Sequence, residues 1–114
     1  STFLGHPVGC AMALVSLEIL EREETAALVV KAGLLLERKL RALRCSAIED
    51  VRGRGLMWGL ELKENAGPLL VRLLQRGLIF LADGPRGNVL SFTPPFIVSE
   101  KEIDFALAAI EEAL

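Results

Sequence analysis

Hydrophobic positions along the chain change period several times, and each change marks an element. From Pro7 to about Arg22 the apolar residues, among them Val8, Met12, Val15 and Ile19, ring nearly the whole helical circumference. Such a helix is a core element with neighbours on several sides. A domain this small cannot cover it alone, so a larger body is expected against its other face. Pro7 suits the first helical position, where its missing N–H has no intrahelical partner to lose. After the solvated break Glu21-Arg22-Glu23-Glu24-Thr25, residues 26–43 carry a narrower seam of Val29, Ala32, Leu36, Leu40 and Leu43. Lys31, Glu37, Lys39 and Arg41 lie mostly off it, which predicts a second, amphipathic helix.

The period then falls to two. Leu56, Trp58, Leu60 and Leu62 point one way, and Gly55, Met57, Gly59 and Glu61 the other. Both sets are largely apolar, which predicts burial on both faces. Gly55 and Gly59 share a face, and glycine in a strand often marks close approach of another backbone, here read as a helix. Arg52-Gly53-Arg54-Gly55 reads as a turn, which makes residues 47–51 and 55–62 the arms of a hairpin. A short helix follows from Pro68 to Arg76, with Gly77 at C′. Residues 78–81 read as a buried strand, 83–88 as a loop, and 89–92 as a last strand stopped by Pro94 and Pro95. Ser99 and Glu102 form a capping box that opens the final helix, with Ile103, Leu107, Ile110 and Leu114 as its apolar stripe. The order α-α-β-β-α-β-β-α predicts an α+β fold: a mostly antiparallel sheet of about four strands with helices packed on it, in a single domain over residues 1–114.

Composition narrows the function classes. The chain is 52% hydrophobic and 25% charged, which is globular and not disordered. A net charge of −2 offers no basic field for nucleic acid or an anionic membrane. Val8 to Leu20 is too short and interrupted to span a bilayer. Cys10 and Cys45 make neither a disulfide framework nor a zinc spacing, and read as reduced thiols of a cytosolic protein. The first residue is Ser1 and not Met, which suggests a fragment or a processed product.

Several motifs occur together. Ser-Thr-Phe-Leu-Gly-His-Pro opens the chain, Val51-Arg52-Gly53-Arg54-Gly55-Leu56-Met57 stands in the middle, and Phe92-Thr93-Pro94-Pro95-Phe96 is followed by Ser99-Glu100-Lys101-Glu102-Ile103. In this order and spacing they resemble the C-terminal part of class III aminotransferases, pyridoxal-phosphate (PLP) enzymes of fold type I. Relatives of that kind include acetylornithine, ornithine, 4-aminobutyrate and ω-amino acid transaminases. The resemblance covers essentially the whole chain and implies a missing large domain that holds pyridoxal 5'-phosphate on a lysine upstream of Ser1. It also implies a cytoplasmic homodimer in which Thr2 reaches the PLP phosphate of the neighbouring subunit. Many relatives carry an arginine for substrate carboxylates where this chain has Ser91. A serine cannot make a bidentate charged pair, which weighs against acetylornithine or ornithine as substrate. Arg86, in the glycine-flanked loop 83–88, is the candidate replacement clamp.

The remaining residues read more plainly. His6 is a helix cap or a packed loop residue, Cys10 a small core residue and Cys45 inert. Met57 and Trp58 are strand core, and Arg52 and Arg54 serve hydrogen bonding in the hairpin or an interface. Lys31, Lys39, Lys63 and Lys101 all sit among polar neighbours, whereas a Schiff-base lysine needs burial or a cationic neighbour to lower its pKa. Because the resemblance places the Schiff-base lysine upstream of Ser1, the chain alone is expected to be inactive, with no catalytic residue and no metal site. The resulting expectation is the C-terminal domain of an enzyme that moves an amino group between an amine or amino acid and an oxo acid such as 2-oxoglutarate or pyruvate. The alternatives are a stand-alone, non-catalytic α+β interaction module or remnant and, within the superfamily, an aminomutase, decarboxylase or racemase.

Overall fold

The computed structural model describes Thr2 and residues 4–114. Its elements follow the expected order: α1 (Pro7–Leu20), α2 (Glu23–Ala42), β1 (Ile48–Arg54), β2 (Met57–Leu62), α3 (Gly67–Gln75), β3 (Leu81–Asp83), β4 (Val89–Phe92) and α4 (Glu100–Ala113). The four strands form one antiparallel sheet in the order β1-β2-β4-β3.

The core lies on one side of this sheet. Trp58, Leu60 and Leu62 of β2, with Leu90 and Phe92 of β4, pack against Leu36 and Leu40 of α2, Leu69 and Leu73 of α3, and Ile103, Leu107 and Ile110 of α4. The α2 seam is as expected, with Leu36, Leu40 and Leu43 buried and Val29 and Ala32 packed at its edge. α4 opens with the expected capping box: the Glu102 N–H donates to Ser99 Oγ, and the Ser99 N–H donates to Glu102 Oε2 at 2.7 Å. α3 closes with the N–H groups of Gly77 and Leu78 donating to the carbonyls of Leu74 and Leu73, the two bonds of a Schellman ending.

Three local expectations are corrected. The Arg-Gly-Arg stretch is strand and not turn; β1 runs through Arg54, and the reversal falls at Gly55-Leu56, where Gly55 has φ 58°. The cause is register: Arg54 pairs with Met57, which leaves two residues for the turn, and glycine takes the left-handed conformation without steric cost. Only one face of β2 is covered. Met57 is 70% exposed, because the face it shares with Gly59 and Glu61 has no helix over it. The third strand is Leu81–Asp83 and exposed, not a buried strand over 78–81. Among the described residues it pairs as an edge strand with β4 alone, and Leu78 and Phe80 of the preceding segment turn toward the core.

α1 contains no buried residue, and Cys10, expected in a core, is exposed with Val8, Met12, Leu14 and Val15. Among the described residues the helix packs chiefly on α2, so the all-round apolar pattern is left without buried positions.

Candidate functional site on the uncovered face of the sheet

The face opposite the helices gathers the polar chemistry. Strand register sets it in two rows: Arg52, Gly59, Ser91 and Leu81 align across the sheet, and Asp50, Glu61, Val89 and Asp83 align in the next row. Glu61 is the hub. Its carboxylate accepts from Arg52 Nη1, from Arg86 Nη2 at 3.2 Å and from Asn88 Nδ2 at 3.2 Å. Arg52 also donates to Asp50 at 2.9 Å, and Arg86 to Glu49 at 3.3 Å. These bonds hold the Glu61 carboxyl below its ordinary range, the hydrogen bond from Arg52 contributing most and that from Asn88 next. The same contacts raise the Arg52 guanidinium further, Glu61 first and Asp50 second.

The loop between β3 and β4 is pinned at its end. Asn88 is buried, and its amide donates to the Leu62 carbonyl at 2.7 Å. Gly84 and Gly87, both at positive φ, bracket Arg86, whose carbonyl accepts from Asn65 Nδ2 at 3.0 Å. Arg86, the candidate clamp, thus stands half exposed at one end of the sheet between two carboxylates. Nothing in the sequence pairs it with Glu49 or Glu61, which lie 37 and 25 residues away. Glu61 carried one usable signal, a charged residue inside an otherwise apolar strand.

Thr2 lies in a turn and is exposed; Ser1 and Phe3 of the same motif lie outside the described residues. His6 occupies the N-cap position of α1, but its side chain makes no capping bond. The first turn of α1 contains no acidic residue, so the donors at this helix start are not occupied by carboxylates of the same turn.

The lysines do not fit a covalent PLP site. Lys31, Lys63 and Lys101 are exposed. Lys39 is bound to Asp104 and to Glu100, which together raise its pKa despite partial desolvation, Asp104 contributing most. A nucleophilic amine needs the opposite shift.

The described residues thus form a helix-backed antiparallel sheet with an ionic face and an exposed hydroxyl in the entry turn. The sequence model of the family described as Aminotransferase class-III matches residues 1–114. The chain belongs to the class III aminotransferases. It is 39% identical over all of its length to an ornithine aminotransferase of Bacillus subtilis, of which it covers 28%. Among solved structures, an aminotransferase of Bacillus anthracis superposes with a TM-score of 0.85 at 30% identity, over 99% of this chain and 29% of the other. The lysine aminotransferase from M. tuberculosis superposes with a TM-score of 0.78 at 37% identity, over 86% of this chain and 23% of the other. The chain spans less than a third of the length of these relatives.

Proposed function

We propose that this chain is the C-terminal domain of a PLP-dependent aminotransferase that moves an amino group between an amine or amino acid and an oxo acid. The observation that carries the reading is the match of the Aminotransferase class-III model to the chain from end to end. When bound, PLP supplies the electron sink on which amino-group transfer depends. The lysine environments above support a division of labour in which the covalent anchor belongs to a large domain. In the cytoplasmic homodimer, Thr2 donates its hydroxyl to the cofactor phosphate of the neighbouring subunit, and the start of α1, whose first turn has no acidic residue, adds to the local preference for an anion. The apolar surface of α1 packs against the large domain or the second subunit.

Arg86 is the carboxylate clamp for the oxo acid. Its two contacts, at 3.2 and 3.3 Å and half exposed, are weak ones to exchange. Glu61 keeps Arg52 and Asn88 when Arg86 leaves, so the exchange does not orphan a carboxylate. The test is Arg86→Ala in the full-length protein with the two half-reactions measured separately. The oxo acid half-reaction is expected to lose about 2 kcal/mol or more of transition-state binding, the scale of a charged hydrogen bond, with the amine half-reaction nearly untouched. Equal losses, or none, exclude the clamp. Absence of amino transfer from any amine excludes the transaminase reading itself.

A further inference from the structure

Arg86 stands on a backbone that is tied down at every residue. Gly84-Pro85-Arg86-Gly87 is a reverse turn, closed by the Gly87 N–H donating to the Gly84 carbonyl at 3.0 Å. Pro85 presets φ at the second position of the turn, and Arg86 takes the third. The next three carbonyls are all bound by one neighbouring segment, residues 62–66. Arg86 O accepts from Asn65 Nδ2 at 3.0 Å, Gly87 O from the Ala66 N–H at 2.8 Å and Asn88 O from the Leu62 N–H at 2.8 Å. The Asn88 amide returns the last of these by donating to the Leu62 carbonyl. The Arg86 side chain, in contrast, is 59% exposed. What is free to move is the side chain and not the backbone beneath it.

Within segment 62–66, Asn65 is the residue that bonds Arg86 itself. Its two side-chain atoms do different jobs. Oδ1 accepts the Gly67 N–H at 2.8 Å, at the start of α3, and Nδ2 holds the Arg86 carbonyl. Gly87 makes room for this bond, since a Cβ there would lie 2.8 Å from Asn65 Nδ2. The origin of the Arg86 side chain is thereby fixed to a helix start. A guanidinium that must meet a carboxylate to within about 0.5 Å gains from such an origin.

We propose that Asn65 is a positioning residue for oxo acid recognition. It fixes the point from which Arg86 reaches the substrate carboxylate, so that the exchange of Glu49 and Glu61 for substrate is made by side-chain rotation alone. The proposal rests on the clamp reading of Arg86 above and adds to it the residue that aims the clamp.

Asn65→Asp separates the two jobs: it keeps the oxygen that accepts from Gly67 and loses the donor to Arg86. Asn65→Ala loses both. The readout in the full-length, PLP-loaded protein is KM for 2-oxoglutarate or pyruvate set against kcat, because a general loss of folded enzyme lowers kcat and leaves KM. Asn65→Asp should raise KM by about threefold to tenfold, the scale of one hydrogen bond, with kcat little changed. In an Arg86→Ala background the same substitution should have no further effect, since the origin no longer matters once the guanidinium is gone. Amide hydrogen exchange over residues 84–88 should quicken in Asn65→Asp while that of α3 stays as it was, whereas Asn65→Ala should quicken both. An unchanged KM or unchanged exchange over 84–88 in Asn65→Asp, or a KM rise of equal size in the Arg86→Ala background, overturns the positioning role and leaves the clamp standing. If Arg86→Ala itself spares the oxo acid half-reaction, the clamp reading falls and this proposal with it.

Discussion

Gly33 of α2 lies directly on the backbone of Gly55: a Cβ on Gly33 would sit 2.6 Å from the Gly55 carbonyl oxygen and 2.9 Å from its Cα. That same carbonyl accepts the indole N–H of Trp58 at 2.8 Å, and the guanidinium of Arg41 stands 5.4 Å from the Trp58 ring. The helix and the hairpin turn are therefore joined at one point where neither backbone has room to retreat.

Gly33→Ala should destabilise the full-length protein by about 1–3 kcal/mol, the range for overpacking a filled site. The obstacle is backbone and not a flexible side chain, so the upper half of that range is expected. Gly77→Ala is the comparison. It has open space around it and only its positive φ to oppose an alanine, so about 1 kcal/mol is expected from backbone strain. Urea unfolding followed by tryptophan fluorescence checks both, and a smaller loss for Gly33→Ala than for Gly77→Ala would contradict the contact.

Glu61 gives the protein an acid-sensitive element. Its folded-state pKa lies below the ordinary 4.5 because Arg52, and then Asn88, stabilise the charged form. A depressed carboxylate contributes stability above its unfolded pKa and loses it as the pH falls through the folded one. The melting temperature should therefore drop as the pH is lowered across about pH 5 to 3, and Glu61→Gln should flatten that drop. It should not remove it, because Glu102 is depressed as well by the backbone N–H and hydroxyl of Ser99. Parallel Tm profiles for the two proteins would show that the carboxylate hub contributes nothing.

The 114-residue chain by itself should form no specific adduct with PLP. Its lysines are exposed or, in Lys39, held by two carboxylates. Incubation with PLP at neutral pH, borohydride reduction and peptide mapping should give scattered partial labelling. A single stoichiometric lysine adduct that survives competition by free lysine would contradict this.

The same chain should also self-associate. Val8, Met12, Leu14, Val15 and Leu17 are each more than half exposed on α1, and Leu28, Val30 and Leu34 continue the apolar surface on α2. Contiguous apolar area of this kind marks an interface. Sedimentation should show oligomers that grow with concentration, and Met12→Glu with Val15→Lys should reduce them. A clean monomer at high concentration would show that the face is satisfied within one chain.

Much of this protein was determined by the sequence itself. The α2 seam, the Ser99–Glu102 box and the α4 stripe are local, since helical period and capping act within one or two turns. The element order followed from them, and the ring of apolar residues on α1 raised the expectation of a further neighbour. The hairpin turn was misplaced by sequence reading because Gly53 and Gly55 are equally acceptable turn residues in isolation; cross-strand register decided between them. One-sided burial of β2 was likewise invisible, since an apolar alternation does not say which face a helix will cover. The carboxylate hub was least legible of all. Glu49, Glu61 and the Arg86–Asn88 segment lie far apart along the chain, and strand order β1-β2-β4-β3 brings them to one end of the sheet. Ion pairs between distant residues have no sequence period, so the chemistry of the uncovered face belongs to the tertiary structure.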